Sequence, residues 1–226
     1  MVIPLILGAL MNTLTPGALQ IGGFTTAIAT GSSALIGVFL VCMGAGISFR
    51  TAPRALKKGV TITLSKFIIG VMGGAACSEE ESAIAERVGE LIAEKGGILL
   101  CGGGSGIMTA VAKGAKNKGG LTIGIMPGSG SNESPPNEYI DIPIFTGMSD
   151  GRNSINVKSS DIVIAIAGGA GTLSEIGLAL KNDKKVITIG SWDLSRKGET
   201  PVGYFQVETA EEAVEMAFSF IAQNQS

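Results

Sequence analysis

Apolar positions run through this chain in two different rhythms. Up to about Ser65 they form long stretches with few charges, among them Val2–Leu14 and Leu35–Phe49, on either side of a loop carrying Pro16, Gly17, Gly22 and Gly23. From Phe67 onward short apolar runs alternate with segments whose apolar positions recur every three or four residues. That is the pattern of buried strands between amphipathic helices. The predicted strands are Phe67–Met72, Ile98–Cys101, Leu121–Met126, Asp161–Ala167, Lys185–Ile189 and Tyr204–Val207. Ser78 with Glu81 three positions later forms a capping box for a helix to about Lys95, with Ile84, Val88, Leu91 and Ile92 on one face and Gly96-Gly97 as its stop. A second helix follows Gly102–Gly106 and ends near Lys118. Asp150–Ser159 and Thr172–Lys181 read as further helices, and Thr209 with Glu212 caps a last one to about Gln223. Gly128–Asn137 and Trp192–Pro201 read as loops. The alternation predicts an α/β fold: a doubly wound parallel sheet, Rossmann-like, preceded by an apolar N-terminal helical segment. Ligands in such sheets sit beyond the carboxyl ends of the strands, where both glycine-rich loops lie.

Charge sharpens the division into residues 1–66 and 67–226. No charged residue precedes Arg50 and no acidic one precedes Glu79, whereas from Glu79 onward 19 acidic residues face 12 basic ones. An acidic domain lacks the basic face that a nucleic-acid partner requires, so none is expected. Histidine is absent and Cys42, Cys77 and Cys101 are widely spaced, which offers neither a disulfide framework nor a metal pair. The expectation is a metal-independent domain that needs no cofactor.

The N-terminal part reads as membrane sequence. Both apolar stretches are shorter than the ~20 residues that span a bilayer comfortably. The basic cluster Arg50, Arg54, Lys57 and Lys58 follows the second, where the positive-inside bias places the cytoplasm. A hairpin with both ends inside would leave the remaining domain cytoplasmic, tethered to the inner face of the membrane. The plainer alternative is a set of apolar helices packed on the domain or on a second copy. The stretches VIPLILGALMNTLTPGALQIGGFTTAI, LIGVFLVCMGAGISFRTAPRALKKG and VTITLSKFIIGV resemble the N-terminal helices of 2-keto-3-deoxygluconate permeases over about residues 1–71. The resemblance implies a permease fragment fused to the following domain. Such transporters need many helices around a midplane site, more than this segment supplies.

The chemistry concentrates in Gly168-Gly169-Ala170-Gly171-Thr172-Leu173-Ser174-Glu175, directly after a strand. Consecutive glycines let the backbone approach an anion, and the free amides of a helix N-terminus favour phosphate. The plainer alternative is an ordinary tight turn with Thr172 as a cap and Glu175 complementing the helix dipole. Gly102–Gly106 makes a second such turn, weak evidence alone.

In order along residues 67–226 stand Gly102-Gly103-Gly104-Ser105-Gly106-Ile107-Met108, then Gly119–Pro127, then Gly151-Arg152-Asn153, then Gly168–Glu175. Together they resemble the motif set of the lonely-guy type nucleoside-monophosphate phosphoribohydrolases. The resemblance implies Arg152 and Glu175 as the catalytic pair and Gly168, Gly169, Gly171 and Thr172 as the 5′-phosphate site. It also implies Gly103, Gly104, Ser105, Met108 and Asn153 as nucleotide contacts, and a homo-oligomer. Ala167 departs from the enzymes, which carry proline there, and the residues around Arg152 depart as well. Chemically, a carboxylate such as Glu175 would stabilise an oxocarbenium-like centre during N-glycosidic cleavage, and Arg152 offers a planar fork for phosphate. A nucleotide sensor using the same loops without turnover is the alternative, and a transporter fragment is the second.

Overall fold

The structure is a computed structural model that describes residues 67–223. The apolar N-terminal segment and the membrane hairpin expected there lie outside the described residues. Among the described residues no helix is long and apolar enough to cross a membrane.

Among the described residues seven strands form one sheet: β1 (Ile68–Gly73), β2 (Ile98–Cys101), β3 (Thr122–Met126), β4 (Ile142–Phe145), β5 (Ile162–Ile166), β6 (Val186–Ile189) and β7 (Tyr204–Val207). Their order is β4-β3-β2-β1-β5-β6-β7, and every neighbouring pair is parallel. Helices α1 (Glu79–Glu94), α2 (Ile107–Asn117), α3 (Asn153–Ser159), α4 (Ala170–Lys181) and α5 (Ala210–Gln223) connect or close the strands, with a 3-10 turn at Ser149–Arg152 before α3. This is the doubly wound, Rossmann-like sheet expected from the strand–helix alternation. The chain winds outward from β1 to β4, returns to β5 beside β1, and winds outward the other way. A crevice therefore opens between the carboxyl ends of β1 and β5.

Strand alternation sorts the core into two layers. Ile69, Val71, Ile162, Ile164 and Ile166 pack with Val88, Val111 and Val214 from α1, α2 and α5. Met72, Val163 and Ala165 face the other way, with Val157 of α3 and Ile176 of α4. Helices α1 and α2 cross at glycine: a Cβ on Gly89 would lie 2.0 Å from the Val111 carbonyl oxygen, and one on Gly114 would lie 1.9 Å from that of Glu86. Backbone thus packs on backbone at this crossing.

The capping box at α1 is complete, with the Glu81 amide donating to Ser78 Oγ (3.1 Å) and the Ser78 amide donating to Glu81 Oε2 (2.7 Å). At α5 the Glu212 amide donates to Thr209 Oγ1 (3.2 Å), but the Glu212 carboxylate accepts from Glu208. Two elements differ from expectation. β4 has no counterpart in the sequence reading: it is an edge strand whose Pro143 breaks the strand signal, and an edge tolerates proline because only one side pairs. The expected helix at Thr172 starts two residues earlier, at Ala170, so the glycine run itself forms its cap and first turn.

Candidate functional site

Three loops meet at the crevice. The loops after β1 and β2 lock together: the Ile107 amide donates to the Gly74 oxygen (3.0 Å), and Ser105 Oγ donates to the Ala75 oxygen (2.9 Å). Gly106, at φ 64°, lies so close that a Cβ would stand 2.5 Å from Gly74 O. Asn137 Nδ2 donates to the carbonyls of Gly103 (3.1 Å) and Gly104 (2.8 Å) and ties the turn down from outside. A Cβ on Gly102 would lie 2.2 Å from Arg152 Nη1 and 2.7 Å from Met108 Sδ; one on Gly103 would lie 2.3 Å from Met126 Sδ. The missing side chain of Gly102 is therefore the seat of the Arg152 guanidinium.

The turn from β5 into α4 is built differently. Ala167 has φ 45° and Gly168 has φ 90°. A Cβ on Gly168 would fall 2.2 Å from Thr172 Oγ1, so the threonine fills that space from below and is itself only 3% exposed. Around Gly169 and Gly171 a Cβ would meet nothing within 4 Å among the described residues. The helix cap is Gly169 without any side-chain bond, so Thr172 is not the cap. The Ala167 amide donates to Ile189 O, and the Leu173 amide donates to Gly169 O. Amides from Gly168 to Thr172 thus stand outside both the sheet and the helix ladder, at the positive end of the helix dipole.

Glu175, one turn into α4, is 6% exposed and accepts from Asn156 Nδ2 at 2.7 Å. Burial raises its pKa, against the opposing pull of the Asn156 donor and the nearby Arg152 charge. Arg152 and Glu175 thus feel each other, but no ion pair is among the salt bridges of the described residues. Asn156 lies wholly buried on α3, and its Oδ1 has no hydrogen-bond partner among the described residues. Sequence reasoning missed Asn156, because a polar residue on a short helix looks like one facing solvent. Asn153 Nδ2 donates to Ser174 Oγ (2.9 Å) and links α3 to α4. Cys101, buried at the end of β2, is an unreactive thiol with its pKa pushed up to about 11 by desolvation.

A hollow of about 350 Å³ adjoins the β5–α4 turn, walled by Glu81, Gly168, Ser191, Trp192 and Asp193 among others. Its β6 side is tied to the turn. Ser191 Oγ donates to Ala167 O (2.6 Å), the Trp192 indole N–H donates to Gly169 O (3.1 Å), and the Tyr204 hydroxyl donates to the Trp192 carbonyl. Ser191 and Trp192 carried no signal in the sequence because they sit in an irregular loop, and Tyr204 was legible only as the first residue of β7.

A parallel sheet with an amide-lined glycine turn at its switch point defines a nucleotide- or cofactor-binding Rossmann-like domain. More narrowly, the chain belongs to the SLOG cluster4 family, whose model matches residues 66–217. An uncharacterized protein of Archaeoglobus fulgidus is 47% identical over 154 residues, covering 67% of this chain and 94% of that protein. The molybdenum cofactor binding protein of Rippkaea orientalis superposes with a TM-score of 0.62 at 39% identity, over 70% of this chain and 99% of that one. The molybdenum cofactor carrier protein of Chlamydomonas reinhardtii superposes with a TM-score of 0.63 at 36% identity, with the same coverage. Over 72 residues the chain is 57% identical to 2-keto-3-deoxygluconate permease 1 of Salmonella typhimurium, which is 31% of this chain but only 23% of the permease.

Proposed function

We propose that the domain binds a phosphorylated heterocycle, holding its phosphate on the amides of Gly168–Thr172, and carries the ligand without cleaving it. The supporting observation is the open turn itself: Gly169 and Gly171 leave room where a side chain would block an anion, over amides that have no other acceptor among the described residues. Two similar structures are described as molybdenum cofactor binding and carrier proteins. A phosphorylated cofactor and a nucleoside monophosphate ask the same thing of this turn. Arg152, seated on Gly102, supplies a planar cation beside the crevice.

A second reading, hydrolysis of a nucleoside 5′-monophosphate to base and ribose 5-phosphate, draws on the position of Glu175 one turn past the phosphate amides, with Arg152 near it. Against it stands Ala167. Its φ of 45° is closed to proline, whose ring fixes φ near about −65°. The turn therefore follows a path that the enzyme motif's proline excludes. The Glu175 carboxylate is also occupied by Asn156.

The test is titration of the chain with molybdenum cofactor and with AMP, GMP and IMP, alongside chromatography for released base. Binding without base release is the expected outcome, with weaker binding in Arg152→Ala. Base release that falls about a hundredfold or more in Glu175→Gln would move the assignment to the hydrolase. No binding of any phosphorylated ligand would end both.

For the N-terminal segment we propose a membrane tether derived from a permease, which would keep the domain on the cytoplasmic face. Support comes from the permease-like 72 residues and the basic cluster after Leu35–Phe49. Cell fractionation with a protease-protection assay tests it: recovery of the full chain in the soluble fraction would overturn it.

A further inference from the structure

The phosphate turn occupies one end of the crevice, and the hollow beside it has no role yet. Gly168 belongs to both, so a ligand whose phosphate sits on the turn can extend its ring into this space. About 350 Å³ suits a bicyclic heterocycle. Trp192 forms one wall and is 39% exposed, with its ring held by the indole bond to Gly169 O and its backbone by the Tyr204 hydroxyl. A fixed, part-exposed indole is a stacking surface. Two carboxylates complete the hollow. Glu81 spends Oε2 on the α1 cap, and among the described residues its Oε1 has no bond. Asp193 is exposed and makes no hydrogen bond or ion pair among the described residues.

Carboxylates accept hydrogen bonds and donate none, so the ring edge that they face must be rich in N–H donors. Guanine presents a ring N–H next to an amino group, and a carboxylate can bond both at once. Adenine offers an amino group beside an acceptor nitrogen, and hypoxanthine a ring N–H without the amino group. The same negative charge disfavours a second phosphate.

We propose that the hollow between Trp192, Glu81 and Asp193 is the ring site of the ligand and selects a guanine-type ring, with a ring N–H beside an amino group, over adenine. The proposal rests on the phosphate reading above and narrows it to a class of ring.

Trp192 is the single tryptophan of the chain, so its emission reports this hollow alone. The full chain is titrated with GMP, AMP, IMP and ribose 5-phosphate, and binding is read by calorimetry and by tryptophan fluorescence. GMP is expected to quench the emission and to bind at least tenfold tighter than AMP and IMP. Ribose 5-phosphate is expected to bind without changing the emission. In Asp193→Asn with Glu81→Gln, GMP should fall to the level of IMP while ribose 5-phosphate binds as before. Glutamine at position 81 preserves the capping box, so the fold is kept. Equal binding of GMP and AMP, GMP binding with unchanged emission, or a preference that survives the double variant would each overturn the ring site and leave the phosphate reading intact. Failure of all four ligands to bind would instead remove the phosphate reading and the ring site with it.

Discussion

Two glycine-rich turns border the same crevice, and an added methyl group would meet opposite surroundings in them. At Gly102, Gly103 and Gly106 it would strike Arg152, Met126 and the Gly74 carbonyl; at Gly169 and Gly171 it would meet none of the described residues within 4 Å. The first turn uses glycine to let the protein approach itself, and the second uses it to leave space for something else. Similar composition thus hides two kinds of work, one in stability and one in binding.

The comparison can be broken by substitution. Gly106→Ala combines a left-handed φ with a Cβ 2.5 Å from Gly74 O, so a loss on the order of 3 kcal/mol or more is expected in chemical denaturation. A variant as stable as the parent would show that the first turn is not packed as described. Gly169→Ala and Gly171→Ala should leave stability within about 0.5 kcal/mol yet weaken phosphate-ligand binding about tenfold, roughly 1.4 kcal/mol. Unchanged affinity in both would mean that the open turn is not where the anion sits.

Glu175 sharpens the contrast through pH. Its folded-state pKa is raised, so it binds its proton more readily folded than unfolded. Its charge therefore opposes folding as pH rises from the ordinary carboxylic-acid value through the raised one, and the penalty is fully present above both. Glu175→Gln should accordingly gain stability relative to the parent at pH 8, and that gain should vanish by pH 3. Melting curves across that range check it, and a pH-independent difference would contradict the desolvation argument. The smallest effect belongs to Ala167→Gly. Relief of a φ of 45° should stabilise the domain by about 0.5–1 kcal/mol, read as a shift in the denaturation midpoint.

Much of the fold was legible because strand runs and helix caps are local. Ser78 and Glu81 stand at capping-box spacing, and the box forms. β4 was not legible, since Ile142-Pro143-Ile144-Phe145 is short, carries proline and pairs on one side only. At the site, the glycine turns and the position of Glu175 could be read from spacing, but the role of each glycine could not, because that depends on residues far along the chain. Gly102 is explained by Arg152, fifty positions later, and Glu175 by Asn156 on a different helix. Trp192 gained its place only through Tyr204 and Gly169, neither of which marks it in the sequence.

The central place of β1 has a consequence for how this domain is made. It is the first strand of the sheet to leave the ribosome, yet one of its two neighbours is β5, and the bond from the Ile68 amide to Asp161 spans 93 residues. At about 5–20 residues per second, translation leaves that edge of the strand unpaired for roughly 5–20 s. During that interval Ile69 and Val71, fully buried later, depend on α1, β2 and whatever chaperone is at hand. Slowing synthesis after Phe145 would lengthen the exposure, and aggregation of nascent chains would rise with it.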